Sequence, residues 1–373
     1  MNRPTREQEA QADARRGGFS AHSVRLAWIL AVAYLLVVVY ASVQPFRGWR
    51  MPPDEILRFL TAPWPRYITL EDILVNIAAY VPLGFLLSIG CGARYGAALG
   101  ALAAAFFAAG VSLSMEAVQM FLPSRIASNV DLLTNGLGAL IGAMAAPLFA
   151  PSRPFGKGLH AWRHRLFKEG MLADVGFVIT CLWIPTQLNP TTQLFGTGAM
   201  RAMFDLPVYA VHSPQLVLAT EAIVVFLNLV GLGLTVAALM RPGARPMLIT
   251  AVVAGAGLVL KTVAAALGKA AHPFVWLTPG ISFGLLAGWL ALYALVSVPR
   301  RVQLALAALC ILAATVAINL APDNPYQSIP RQFIAGGASH YLSFSAFARA
   351  LSELWPLLAV AYLLSALFER RRT

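Results

Sequence analysis

Seven polar side chains in the first half of the chain, Asp72, Asn76, Glu116, Gln119, Arg125, Asp131 and Asn135, have the types and spacing of a binding or acid–base site. Asp72 and Asn76 are four residues apart, one helical turn, and Tyr80 continues their face. Glu116 and Gln119 are three apart on a second face, and Asp131 and Asn135 four apart on a third. Arg125 is the one nearby cation for three carboxylates, so either a carboxyl is protonated or a charged ligand completes the set. Such a group can orient a polar ligand or move a proton. Scattered singly, the same residues serve as helix caps or snorkelling surface charges. The case for a site therefore rests on whether the chain brings them together.

The elements that must do so are membrane helices. The chain has 373 residues, 58% hydrophobic and only 12% charged, with a mean hydropathy of +0.69. A soluble globular protein carries about 25% charged residues. Disorder, a disulfide scaffold and a nucleic-acid-binding domain are excluded as well, because the apolar residues come in blocks near the length of a membrane span. Cys91, Cys181 and Cys310 have no paired spacing. The expected fold class is all-α, a polytopic transmembrane bundle of about ten spans: 24–43, 70–89, 97–120, 129–149, 172–187, 215–239, 247–267, 274–297, 302–320 and 353–368. The first reads as an uncleaved anchor, since Ala41-Ser42-Val43 lacks the second small residue of a cleavage site.

Lys and Arg alternate along the chain with a roughly two-to-one excess on the side of the N-terminus, which predicts both termini cytoplasmic. The net charge of +12 is then explained by basic loops facing an anionic leaflet, with membrane lipids as partners and no nucleic acid. This topology puts the start of the second span, the end of the third and the start of the fourth on the outer side, where all seven polar residues lie. Short loops make antiparallel neighbours, so Glu116, Arg125 and Asp131 should come within side-chain reach. Gly136, Gly138 and Gly142 should let another helix approach closely, and Pro82 with Gly84 should weaken the second span below Asn76.

The organisation expected is a four-helix domain over 1–150, a basic cytoplasmic linker over 151–171 and a six-helix domain over 172–373. The latter carries two long outer loops, 188–214 and 321–352, of a length that usually folds back on the bundle. Aromatics at Phe333, Tyr341, Phe344 and Phe347 suit the outer interface or a simple covering loop. No sustained internal repeat supports an inverted-repeat transporter.

The ordered run Asp72-x3-Asn76-x5-Pro82-Leu83-Gly84-Phe85, Glu116-x2-Gln119-x3-Pro123-x-Arg125, Asp131-x3-Asn135-x2-Gly138-x3-Gly142 resembles the VanZ-like family over about residues 24–149. The resemblance implies a bacterial integral membrane protein of the cytoplasmic (inner) membrane, and a link to low-level resistance to the glycopeptide teicoplanin through the member that gives the family its name. It carries no catalytic mechanism. Ala127-Ser128-Asn129 stands where an acidic or other polar residue often precedes the Asp131 position, and the segment from 172 onward is outside the motif.

In that segment Glu221 and Lys261 should lie at similar depth and form a structural ion pair, the cheapest way to bury both. Asp174 suits a cap or a surface pair. His160 and His164 are four apart but lack a third ligand other than Glu169, so no metal is expected. Gly231/Gly233 and Gly255/Gly257 lie inside spans and read as packing glycines. No cofactor motif and no nucleophile motif is present.

Three functions follow. In the first, the outer pocket binds an amphiphilic or lipid-linked envelope ligand, such as a cell-wall precursor or lipoglycopeptide, with Arg125 on its anionic group, Asn76, Gln119 and Asn135 on the rest, and Asp72, Glu116 and Asp131 orienting Arg125. In the second, an enzyme, Glu116, Asp131 or Asp72 acts as general acid or base on a lipid-linked substrate. The third is a transporter or flippase.

Overall fold

The computed structural model describes residues 19, 21–43, 48–52, 55–65, 68, 70–123, 125–189, 192–201, 213–267, 272–321 and 339–369. Among them the regular structure is helical, with one isolated antiparallel bridge between Phe167 and Met240. Among the described residues eight helices are long and apolar enough to cross a bilayer, and Met171–Thr186 and Pro279–Leu295 are apolar but shorter. The chain is a multi-pass membrane protein. It forms two compact units, one of residues 1–164 with 337–347, the other of 165–336 with 348–373.

The first unit is built on α1 (Ala21–Val43), α2 (Leu70–Tyr95), α3 (Ala97–Gln119) and α4 (Asn129–Ala145). α2 runs through Pro82 and on to Tyr95, six residues beyond the expected end at 89, because a single residue makes the turn into α3. That residue is Gly96, at φ +81° and ψ 168°, a conformation that only glycine adopts freely. The antiparallel pair then closes at Gly92 and Gly100, where a Cβ on Gly100 would lie 2.5 Å from the backbone of Gly92.

α2 and α4 meet backbone to backbone. A Cβ on Gly138 would lie 2.2 Å from the carbonyl oxygen of Ile77, and one on Gly142 2.0 Å from that of Val81. Gly84 faces the Ala139 carbonyl in the same way. Within a bilayer, where lipid is as apolar as a leucine, such close approach is what drives helices together. Gly136 lies off this line, with its nearest neighbour 4.0 Å away. Tyr34 on α1 donates to the carbonyl of Ala79 at 2.8 Å, and Ser88 to that of Ala143 at 2.9 Å.

The buried stripe of α3 reads Ala101, Ala104, Ala108, Ser112, Glu116, Gln119, with the small residues in one half and the polar ones in the other. α4 runs the opposite way and mirrors it, from Asp131, Thr134 and Asn135 to Gly138, Ala139, Gly142 and Ala143. The same spacing thus packs the helices at one end and gathers polar groups at the other.

The segment expected as a linker contains a further helix, α5 (Pro154–Leu166). The second unit follows with α6 (Met171–Thr186), α7 (Pro214–Leu239), α8 (Pro246–Leu267), α9 (Pro279–Leu295), α10 (Arg300–Leu320) and α11 (Ser339–Phe368), of which 348–368 belong here. The span expected at 274–297 is a helix only from Pro279, where Thr278 accepts from the amide of Ile281 and proline fixes the first turn. α7 is the most enclosed candidate span. Gly280, Gly284 and Gly288 of α9 pack on it at Leu218, Ala222 and Leu229, and Gly231 of α7 packs on Ile311 of α10. Gly233 packs on Leu292 and Gly257 on Trp183, while Gly255 meets nothing within 4 Å. The expected positions of the termini, and of the loop aromatic Phe333, fall outside the described residues; at Tyr341, Phe344 and Phe347 only the helical backbone is described.

Candidate functional site

The polar halves of α2, α3 and α4 converge in the first unit. The hairpin between α3 and α4 turns on Ser128, whose hydroxyl accepts from the amides of Val130 at 3.2 Å and Asp131 at 3.4 Å and so starts α4. The amide of Ser128 donates to the carboxylate of Glu116 at 2.9 Å, which places that carboxylate against the hairpin. Asp131 stands in the first turn of α4, where the positive end of the helix dipole favours an anion.

Arg125 is buried in the hairpin with both Glu116 and Asp131 as electrostatic neighbours. Burial lowers its pKa, and the two carboxylates act in the opposite sense. One of its Nη groups donates to the carbonyl of Ala41 at 3.0 Å, and Gln119 donates to that of Ser42 at 3.3 Å. Both carbonyls close the last turn of α1. Asn129 reaches back to the carbonyl of Ala62 at 2.8 Å. Asn135 donates to the hydroxyl of Ser112 at 2.9 Å, and Ser112 shares a further hydrogen bond with the buried Tyr80.

A cleft opens between α2 and α4, walled by Asp72, Asn76, Ser128, Asp131 and Thr134, with Pro65, Ile68, Ile73 and Val130. Its free volume is about 10 Å³, enough for one water. Of the residues expected at the site, Asp72, Asn76 and Asp131 face this cleft, whereas Glu116, Gln119, Arg125 and Asn135 are not among its walls. The cleft is therefore acidic and rich in acceptors, suited to a group that donates hydrogen bonds.

Ser112, Ser128 and Thr134 were not singled out in the sequence. Ser112 lies one turn before Glu116 on the same stripe, and Ser128-x-x-Asp131 has the form of a cap, so both left a signal. The carbonyls of Ala41, Ser42 and Ala62 left none.

The second unit has its own buried polar centre. After α6 the chain leaves helical geometry, yet Gln187, Asn189, Leu194, Phe195, Thr197 and Gly198 remain buried. Non-helical backbone at membrane depth must have its polar groups satisfied by protein. The amide of Phe195, a residue at φ +60°, donates to Gln187 at 3.0 Å. Asn319 of α10 accepts from the amide of Met200 at 2.9 Å and donates to the carbonyl of Gly198 at 2.6 Å. The amide of Gly198 donates to the carbonyl of Ser352 at 2.8 Å.

The ammonium of Lys261 is held by this segment, donating to the carbonyl of Asn189 at 2.7 Å and to that of Thr192. Glu221 accepts from the hydroxyl of Thr278. The hydrogen bonds of Lys261 thus go to backbone carbonyls of the segment after α6. Asp174 is buried in the first turn of α6, and His160 and His164 share a hydrogen bond of 2.7 Å.

The helical architecture and the buried polar ends define a polytopic membrane protein built of two units. Residues 26–150 match the VanZ/LLP1 family. The match stops at residue 150, five residues past α4, so the second unit lies beyond it. No curated protein and no solved structure matches the chain.

Proposed function

We propose that the first unit binds the polar head of an amphiphilic or lipid-linked envelope ligand at the cleft between α2 and α4, on the outer face of a bacterial inner membrane, and thereby affects glycopeptide susceptibility. The observation that carries the reading is the meeting of Asp72, Asn76, Asp131 and Thr134 in one cleft. Those walls favour an amine or hydroxyl donor over an anion, and Arg125, tied to Ala41, serves as the strut that holds two carboxylates in place. A water-sized cleft suits a single donor group at its mouth, with the ligand's chain left in the bilayer. The alternation of basic loops supports ten spans with both termini inside, which puts the cleft outward.

The test is native mass spectrometry of the purified full chain, offered phosphatidylethanolamine, phosphatidylglycerol, a polyprenyl phosphate and teicoplanin in turn. Asp72→Asn should weaken retention of an amine- or hydroxyl-bearing ligand about tenfold or more, the worth of one charge-assisted hydrogen bond. Equal retention by wild type and variant of every ligand offered would overturn the reading.

Transport is a second reading, favoured by one observation in the second unit: a buried non-helical segment after α6 whose carbonyls hold a buried ammonium. Broken helices and intramembrane charges mark substrate paths in many transporters. Substrate-dependent labelling of a cysteine placed at Thr197, reached from both sides of the membrane, would support it, and labelling from one side alone would remove it.

A further inference from the structure

α5 differs from the other α-helices. It is 13 residues long, falls outside the candidate spans and has the most sharply segregated sequence. At 100° per residue Phe155, Leu159 and Trp162 fall within about 60° of one another. All three are exposed, at 61%, 43% and 45%. Lys157, His160 and His164 occupy the opposite side, and Arg163 and Arg165 border the apolar stripe on its two edges. No acidic residue lies between Arg153 and Lys168.

Its start is pinned. Gly156 sits so close to the Ala150 carbonyl that a Cβ would lie 2.1 Å from it. The ring of Phe155 stands edge-on to Phe149 at 5.0 Å, and Phe149 edge-on to Phe85 of α2 at 5.2 Å. These contacts lie at the far end of α4 from Asp131, so the helix begins at the end of the bundle opposite the cleft. There the exposed Leu148 continues the apolar surface of the preceding span toward Phe155.

We propose that α5 is an in-plane membrane helix that sinks Phe155, Leu159 and Trp162 into the leaflet opposite the cleft and gathers anionic phospholipid headgroups on Lys157, Arg163 and Arg165. The apolar stripe takes the acyl boundary, the flanking arginines reach up to the phosphates, and their charge is complementary to an anionic leaflet. Because the helix is fixed to the end of a span, it has no translational freedom to lose on entering the interface, so a stripe of three large side chains suffices. This assignment is independent of what the cleft binds.

The test uses the full chain with Cys91, Cys181 and Cys310 replaced and a single nitroxide at Leu159→Cys or Lys157→Cys, reconstituted in phosphatidylcholine with or without phosphatidylglycerol. The label at 159 should be reached by oxygen and shielded from a water-soluble nickel chelate, with the reverse at 157. Native mass spectrometry of the otherwise unmodified protein should show phosphatidylglycerol retained at low salt and released at high salt. Changing Lys157, Arg163 and Arg165 together to Gln should weaken that retention about 100-fold. A label at 159 open to the chelate in both vesicles would overturn the in-plane placement. Retention of phosphatidylglycerol that neither salt nor the triple change alters would overturn the recognition of anionic lipid.

Discussion

The guanidinium of Arg125 donates to the carbonyl of Ala41 at 3.0 Å, joining the α3–α4 hairpin to the last turn of a helix 84 residues earlier. The same side chain is the cation between Glu116 and Asp131. Removing it takes the cation from beside two buried carboxylates and a donor from a carbonyl, and breaking a buried pair of this kind costs about 3–5 kcal/mol. Arg125→Ala should therefore lower the thermal midpoint of the purified protein sharply. Arg125→Lys should recover only part of it, since a point charge cannot keep the fork. An unchanged midpoint in Arg125→Ala would show that the strut is dispensable.

Gly138→Val and Gly142→Val should each separate α2 from α4, because their side chains would enter the carbonyls of Ile77 and Val81. A loss of about 1–3 kcal/mol or more is expected. Gly136→Ala, with its nearest neighbour at 4.0 Å, should leave stability unchanged or slightly raised. Thermal unfolding in detergent compares the three, and equal effects at 136 and 138 would contradict the packing described.

Lys261→Met should leave the carbonyls of Asn189 and Thr192 without their donor and free the segment after α6. Each buried acceptor stranded in this way costs about 1–3 kcal/mol. Faster proteolysis or labelling between Gln187 and Met200 than in wild type is the expected readout, with α7 to α10 unaffected. Protection equal to wild type would mean that Asn319 and Ser352 hold the segment without the lysine.

Lys168 donates to the carbonyl of Ala238, and burial, then the nearby charge of Arg300, lowers its pKa from 10.5. The folded chain releases this proton at lower pH than the unfolded one. Across the interval just below pH 10.5 the unfolded state thus binds more protons, and Lys168 makes stability rise with pH there. Lys168→Met should remove that rise, so the midpoint difference between variant and wild type should change across the interval. A difference that stays flat would refute the shift.

Eight of the expected spans could be read directly because each is a continuous apolar block of the length a bilayer demands. Two boundaries could not. Arg94 and Tyr95 look like a loop but continue α2, since Gly96 alone makes the turn; residues 274–278 look like a span but precede a helix started by Thr278 and Pro279. The polar cluster was visible because its members share helical spacing with small residues that must pack. What it is tied to was not, since Arg125, Gln119 and Asn129 all donate to backbone carbonyls, and an acceptor that every residue carries leaves no mark in a sequence. The carbonyl partners of Lys261 were hidden for the same reason.

The segment between Gln187 and Met200 depends on groups made long after it: Lys261 on α8, Asn319 at the end of α10 and Ser352 on α11. A chain emerging from the ribosome therefore makes this segment before the groups that hold it, and its hydrogen bonds to Lys261, Asn319 and Ser352 can form only once α8, α10 and α11 have been synthesised.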